Sequence, residues 1–187
     1  MFGPETQKAH ERRKREGFYE KFCQGSGLDI GHSGSDDSSP ITNSIGVDIG
    51  FPGYDGLRLP FPDESQNFVY SSHCLEHIEN YKEALVEWWR VLKFGGHLII
   101  TVPHKFLYEK KANPPSNWNS DHKRFYTPAS LMKEIEESLI PNNYRVIYLK
   151  DCSEGFDYEL SATKHSCGEY QIEVVLQKIQ PPIWGIV

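Results

Sequence analysis

The sequence predicts an α/β fold in which a mostly parallel sheet is flanked by helices. Three observations predict it. Short apolar runs alternate with helically periodic segments along the 187 residues, the pattern of strand–helix units. The run "HLIITV", residues 97–102, is nearly all apolar and β-branched, as a strand buried on both faces must be. The first predicted strand runs into a glycine turn, and the second ends in Asp48, 19 positions after Asp29 (48 − 29). That layout suits a nucleotide bound beyond the carboxyl ends of parallel strands.

Each element has its own justification. Residues 5–23 read as a helix with Phe18, Tyr19 and Phe22 on one face, and "ERRKRE" reads as its solvated face. "GLDI" (27–30), "SIGVDIG" (44–50) and "NFVYSS" (67–72) are short apolar runs bounded by turn residues, so strands. Between Asn80 and Phe94, Ala84, Leu85, Trp88, Trp89 and Leu92 recur at helical spacing, and Gly95-Gly96 ends the helix. In "TPASLMKEIEESL", Thr127 is the N-cap and Pro128 the first helical residue, followed by Leu131, Ile135 and Leu139 on one side. "YRVIYL" (144–149) and "YQIEVVLQ" (170–177) close the chain as strands.

Composition narrows the function classes. Twenty basic and 26 acidic residues leave a net charge of −6, which weighs against nucleic acid or an anionic membrane as partner. The four cysteines, Cys23, Cys74, Cys152 and Cys167, form no CxxC pair, so neither a zinc ribbon nor a disulfide framework is indicated. No run reaches the roughly 20 apolar residues of a membrane span, and the N-terminus has no apolar signal core. A cytoplasmic protein is the expectation; the oligomeric state is not legible.

The stretch "YDGLRLPFPDESQNFVYSSHCLEHI" resembles the class I S-adenosylmethionine-dependent methyltransferases, through "LPFPDES", "LEHI" and the following "GGHLIITVP". The resemblance implies a Rossmann-like, mostly parallel seven-stranded sheet in one domain, residues 1–187, with an N-terminal helical segment over 1–24. It implies S-adenosylmethionine as cofactor. Asp29, Gly31, Ser33 and Gly34 would lie along the methionine end. Asp48, with Ile49 beside it, would accept from the ribose hydroxyls; Asp55, Gly56 and Leu57 would meet adenine; Ser72 and His73 would line the methyl-donor pocket. The chain departs from the family at Ser33, which replaces a turn glycine, and at Gln66-Asn67, which replaces Phe-Asp. It departs again in "SDDSSPITNS", where the missing periodicity and Pro40 predict a loop in place of a degenerate first helix.

Two segments carry the candidate chemistry. In "SSHCLEH", a helical turn over 73–77 would put His73, Glu76 and His77 on one face; alternatively, Glu76 and His77 brace the neighbouring loop. Residues 104–126 form a long proline- and amide-containing connection, and such connections are often functional; the resemblance makes this one an acceptor-site insertion. Its "DHKRFYT" resembles a stretch of the terminal-ribose methyltransferases of small RNAs, which bind a divalent metal through Glu-x-x-Glu-His and a later histidine. The same pattern here reads His73, Glu76, His77 and His122, which are the metal ligands if a metal is bound. Without one, His77 and His122 are the leading catalytic bases, with His73 beside them; His104 is a further candidate or a plain loop histidine. The expected reaction is methyl transfer to a small-molecule acceptor, such as a sugar hydroxyl in surface-polysaccharide synthesis. The alternatives are a terminal-ribose RNA 2′-O-methyltransferase and a non-catalytic methyltransferase-like binding module.

Overall fold

The structure, a computed structural model, describes residues 4–32 and 41–184. Its elements are α1 (Pro4–Arg15), α2 (Phe18–Phe22), β1 (Gly27–Ile30), β2 (Ser44–Val47), β3 (Gln66–Ser72), α3 (Tyr81–Val91), β4 (Leu92–Pro103), α4 (Pro128–Ser138), β5 (Tyr144–Cys152) and β6 (Gln171–Lys178). The strands form one sheet in the order β2-β1-β3-β4-β6-β5. The first four strands are parallel neighbours, and β6 runs antiparallel to both β4 and β5. The sheet is Rossmann-like and mostly parallel, but it has six strands among the described residues, not seven. Residues 48–65 account for the difference. They are rich in glycine, proline and acids and run as turns from β2 to β3, with no apolar run that could add an edge strand. The expected loop at 33–43, with the turn residues Ser33 and Gly34, falls largely on residues 33–40, outside the described part.

The pleat divides the core in two. Leu28, Ile30, Val69, Leu98, Ile100 and Val102 pack under α3 and α4, against Trp88, Leu131 and Ile135. Phe68, Tyr70, Ile99 and Val175, on the opposite face, pack under Phe18, Tyr19 and Phe22 of α2. Residues i and i+2 of each strand therefore share a face, as strand geometry requires. Thr127 Oγ1 accepts from the Ser130 amide (3.2 Å) in a capping box, with Pro128 at the first helical position. Gly96 has a packing reason: a Cβ there would stand 2.7 Å from the Asn67 carbonyl oxygen. The helix after Asn80 ends at Val91, short of Phe94, because β4 begins pairing with β3 at Leu92↔Gln66.

The N-terminal segment differs from its sequence reading in two ways. The single helix 5–23 is two helices, broken where Gly17 adopts φ 64°. The basic run is a solvated face at Glu11, Lys14, Arg15 and Glu16, but not at its two central arginines. Arg12 and Arg13 are each 1% exposed, because they reach polar side chains at the end of the sheet. Arg12 Nε donates to Glu169 (2.8 Å), and its Nη2 donates to Glu173 (2.5 Å). Arg13 donates to Glu173 (2.6 Å), the Tyr70 hydroxyl (2.8 Å) and Thr101 (3.2 Å). Burial works to raise the Glu173 carboxyl, but the two guanidinium charges outweigh it and hold the group below its ordinary value.

Candidate functional site

A cleft of about 520 Å³ opens beyond the carboxyl ends of the parallel strands, where open α/β sheets bind ligands and within the size range of ligand pockets. Gly31, Asp48, Ile49, Asp55, Gly56 and Leu57 line one part of it, and His73, Cys74, His77, Ile78 and Asp121 line another. Seven of the residues expected at a cofactor therefore share one cavity, His73 included. Asp29 is buried at the end of β1, with Oδ2 3.8 Å from His32 Nδ1, and Ser72 is half-buried at the end of β3; neither belongs to the lining. Asp55 Oδ1 accepts from the backbone amides of Arg58 (2.7 Å) and Leu57 (2.9 Å), which hold its carboxyl below its ordinary value. Asp48 Oδ1 accepts from the Ile49 amide (2.7 Å). Two acceptor-only carboxylates beside Ile49 and Leu57 fit the hydroxyls and the flat apolar base of a nucleoside.

The second part of the cleft is built by a short turn and a distant loop. After β3 the chain turns at His73, which takes φ 54°, left-handed and strained for a side chain with a Cβ. A 3₁₀ turn follows over Leu75–His77. The loop at 121–126 then locks onto that turn. The Lys123 amide donates to the Glu76 carbonyl (2.8 Å). The Arg124 guanidinium donates to the carbonyls of Leu75 (3.0 Å), Ile78 (2.5 Å) and Glu79 (2.9 Å). Between these anchors, His122 is brought beside His77, with ring centroids 4.8 Å apart at 77°.

Three imidazoles converge on one carboxyl oxygen. Glu76 Oε1 lies 3.7 Å from His73 Nδ1 and 4.0 Å from the Nε2 atoms of both His77 and His122. Glu76 is fully buried, and neither of its oxygens has a hydrogen-bond partner among the described residues. Burial pushes its carboxyl up to about 8 and the His73 imidazole down to about 3. His77 is also lowered, by burial and then by His122, against the opposing pull of Asp121. Each of two imidazoles is steered from behind by an acid. His122 Nδ1 is 2.5 Å from Glu109 Oε1, and His77 Nδ1 is 3.2 Å from Asp121 Oδ2.

Sequence reasoning missed Glu109, Asp121 and Arg124. Glu109 belongs to a π-helical turn over Lys105–Glu109, and nothing in "FLYEKK" signals that its carboxyl turns inward. His104, by contrast, serves structure: its Nδ1 accepts from the amides of Phe106 (3.1 Å) and Leu107 (3.3 Å), which caps that turn, and its Nε2 lies 3.5 Å from Asp151.

Comparison with known proteins agrees with this architecture. Residues 11–100 match a family model described as a methyltransferase domain. An uncharacterized protein of Methanocaldococcus jannaschii is 31% identical over 131 residues, 62% of this chain and 62% of that protein. A demethylmenaquinone methyltransferase of Deinococcus radiodurans is 39% identical over 54 residues, 29% of this chain. The chain thus spans 22% of the length of one curated relative and 62% of the other. Among solved structures, an S-adenosylmethionine-dependent methyltransferase from Archaeoglobus fulgidus superposes with a TM-score of 0.59 at 18% identity, over 91% of this chain and 93% of its own.

Proposed function

We propose that the chain is a class I S-adenosylmethionine-dependent methyltransferase and that it transfers a methyl group to an oxygen of a small polar acceptor such as a sugar hydroxyl. The observation that carries this reading is the single cleft, which joins Asp48 and Asp55 to His73 and His77. S-adenosylmethionine would supply an already activated methyl group. Asp48 and Asp55 would hold its ribose and adenine, with Ile49 and Leu57 against the base. The chain's remaining task is to align the acceptor and draw the proton from its hydroxyl. A histidine held by a carboxylate suits that task, and His77 on Asp121 is the one that reaches the cleft. Such a base contributes roughly 10²–10⁴-fold. His122 is 4% exposed and would act behind His77.

An oxygen acceptor follows from the cluster, because carbon or nitrogen nucleophiles need less help with a proton. The test has two stages. Calorimetry with S-adenosylhomocysteine should give one site per chain; no binding would favour a methyltransferase-like binding module. Transfer of labelled methyl to a panel of free sugars, nucleotide sugars and RNA ends then separates acceptors. Labelling of RNA ends with strong salt dependence would replace the sugar reading by the terminal-ribose one.

A further inference from the structure

We propose that the loops after β4 and before β6 form a subsite for a sugar carried on a phosphate or diphosphate, with Tyr108, Trp118 and His165 against its rings and Lys110, Lys111 and Lys164 at its phosphate. The proposal deepens the methyl-transfer reading and rests on it for the subsite's role beside His77. Topology brings the two loops together. β4 ends at Pro103, which pairs with Gln171 at the start of antiparallel β6, so residues 104–126 and 153–170 both leave the sheet at the edge where the cleft opens. The first loop reaches the cleft through Asp121. Two bonds tie the loops to each other: the Ser166 hydroxyl donates to the Leu107 carbonyl, and Lys110 Nζ donates to the Lys164 carbonyl (3.0 Å).

The aromatic wall is the first observation. Trp118 Nε1 donates to the Tyr108 carbonyl (2.9 Å), and the Ser116 hydroxyl accepts from the amides of Trp118 (3.1 Å) and Asn119 (3.2 Å), so the indole is fixed. His165 stands edge-on to both rings, 5.2 Å from Trp118 at 76° and 5.4 Å from Tyr108 at 88°. Tyr108 leans in turn on Tyr170 (4.8 Å) and on His122 (5.8 Å), and His122 adjoins His77. The wall thus begins next to the proposed base. It is not sealed: Tyr108 and Trp118 are half-buried and His165 is exposed. Rings held in place with part of their surface open offer apolar area to a sugar ring or a base at little cost in side-chain freedom.

Charge is the second observation, independent of the first. In a chain of net charge −6, Lys110 and Lys111 direct their ammonium groups to neutral oxygens. Lys110 Nζ meets the Lys164 carbonyl and stands 5.7 Å from the centre of the Phe156 ring. Lys111 Nζ donates to the Pro115 carbonyl (2.8 Å) and to Asn117 Oδ1 (3.4 Å). Lys164 is exposed beside His165. Burial lowers the Lys110 ammonium below its ordinary value, against the pull of Cys167 and Asp157. Its backbone takes φ 49°, left-handed for a residue with a Cβ and held there by its surroundings. A partly desolvated cation on neutral oxygens is a seat for an anion, because a phosphate supplies the charge that carbonyls do not. The anion is short: exposed Glu154, Asp157 and Glu159 on the second loop repel a long polyanion. The competing explanation is that the rings only hold the loops together. Packing accounts for buried Tyr170, but it does not call for lysines that face carbonyls beside an exposed His165.

The test is calorimetry on the full chain loaded with S-adenosylhomocysteine. The probes are glucose, galactose and N-acetylglucosamine, each free, as its 1-phosphate and as its UDP derivative, together with a short single-stranded RNA. A phosphorylated sugar should bind at least about 10-fold more tightly than its free form, the worth of one charge-assisted contact, and more weakly as salt rises. The order of 1-phosphate and UDP derivative then tells a simple sugar phosphate from a nucleotide carrier. Lys110→Gln should weaken that binding at least about 10-fold, and His165→Ala about 2–10-fold; His165 is exposed, so its variant keeps the fold. Lys133→Ala, on the exposed side of α4, should change nothing, and none of the three should alter S-adenosylhomocysteine binding. Free sugars bound as tightly as phosphorylated ones, RNA preferred to every sugar, no probe bound, or full affinity in both Lys110→Gln and His165→Ala overturns the proposal. Methyl transfer to free sugars with no preference for a phosphate overturns the subsite and leaves the methyl-transfer reading standing. Binding of a phosphorylated sugar without methyl transfer does the opposite.

Discussion

At the C-terminal end of β4 and the N-terminal end of β6, Glu169 and Glu173 lie against the guanidinium groups of Arg12 and Arg13. Beyond the end of β3, Glu76 lies against His73, His77 and His122, with no hydrogen-bond partner on either oxygen among the described residues. Both regions are buried, and each gathers three potential metal ligands. They differ in where the positive charge comes from. In the first, α1 supplies it permanently, and the result is a fixed joint between the N-terminal helix and the sheet. In the second, Arg124 spends its hydrogen bonds on backbone carbonyls, and no cation pairs with Glu76 among the described residues, so the joint between the 3₁₀ turn and the insertion surrounds an unpaired carboxyl. Equal donor density thus serves structure in one place and leaves a carboxyl unpaired in the other; the distinguishing observation is which carboxylate has a partner.

The largest effect should come from breaking the satisfied cluster. Glu173→Ala leaves two buried guanidiniums without their shared acceptor, and breaking a buried ion pair costs about 3–5 kcal/mol. Urea unfolding measures it. A loss under about 1 kcal/mol would erase the contrast between the clusters. The same group predicts a pH dependence. Its folded pKa lies below its ordinary value of 4.5, so its stabilisation is complete above that pH. It is lost as pH falls through the folded value, when the carboxylate takes up a proton. Wild-type stability should therefore fall more steeply below pH 4.5 than that of Glu173→Gln; parallel curves would remove Glu173 as the source.

Much of this was legible in the sequence, and the misses share a cause. Apolar runs and periodicity located α3, α4 and all six strands; burial of those side chains fixes α3, α4, β1, β3, β4 and β6, whereas the edge strand β5 leaves Val146, Ile147 and Leu149 exposed and is held by its pairing with β6. The motif residues Asp48, Asp55, His73 and His77 met at one cleft because strand ends place them there. "ERRKRE" was misread because charge on a helix usually faces water. What overrides that here is Glu173 on the sheet and Glu169 just before β6, more than 150 positions away from Arg12 (169 − 12 = 157). Glu109 and Asp121 were invisible for a similar reason: their meaning depends on a loop conformation that Arg124 fixes through backbone carbonyls, and carbonyls leave no trace in residue type. The seventh strand came from the family pattern and not from any apolar run of this chain.

A second, smaller effect separates the cleft from both clusters. Asp48 borders the cavity and, among the described residues, accepts from the Ile49 amide and not from a cation. Asp48→Ala should weaken S-adenosylhomocysteine binding by about 1.5–3 kcal/mol, the worth of a charged acceptor for ribose hydroxyls, with little change in the unfolding midpoint. Calorimetry and urea unfolding on the same preparation check both halves. An unaltered affinity would remove Asp48 from the cofactor site.

The smallest effect on stability is the most telling. Glu76→Gln replaces a buried carboxyl that makes no hydrogen bond among the described residues and keeps its shape, so unfolding free energy should change by no more than about 1 kcal/mol. That is a small fraction of the loss expected at Glu173, although both glutamates are fully buried. A loss above about 3 kcal/mol would show that Glu76 has a structural partner after all, and the two clusters would then be the same kind of object.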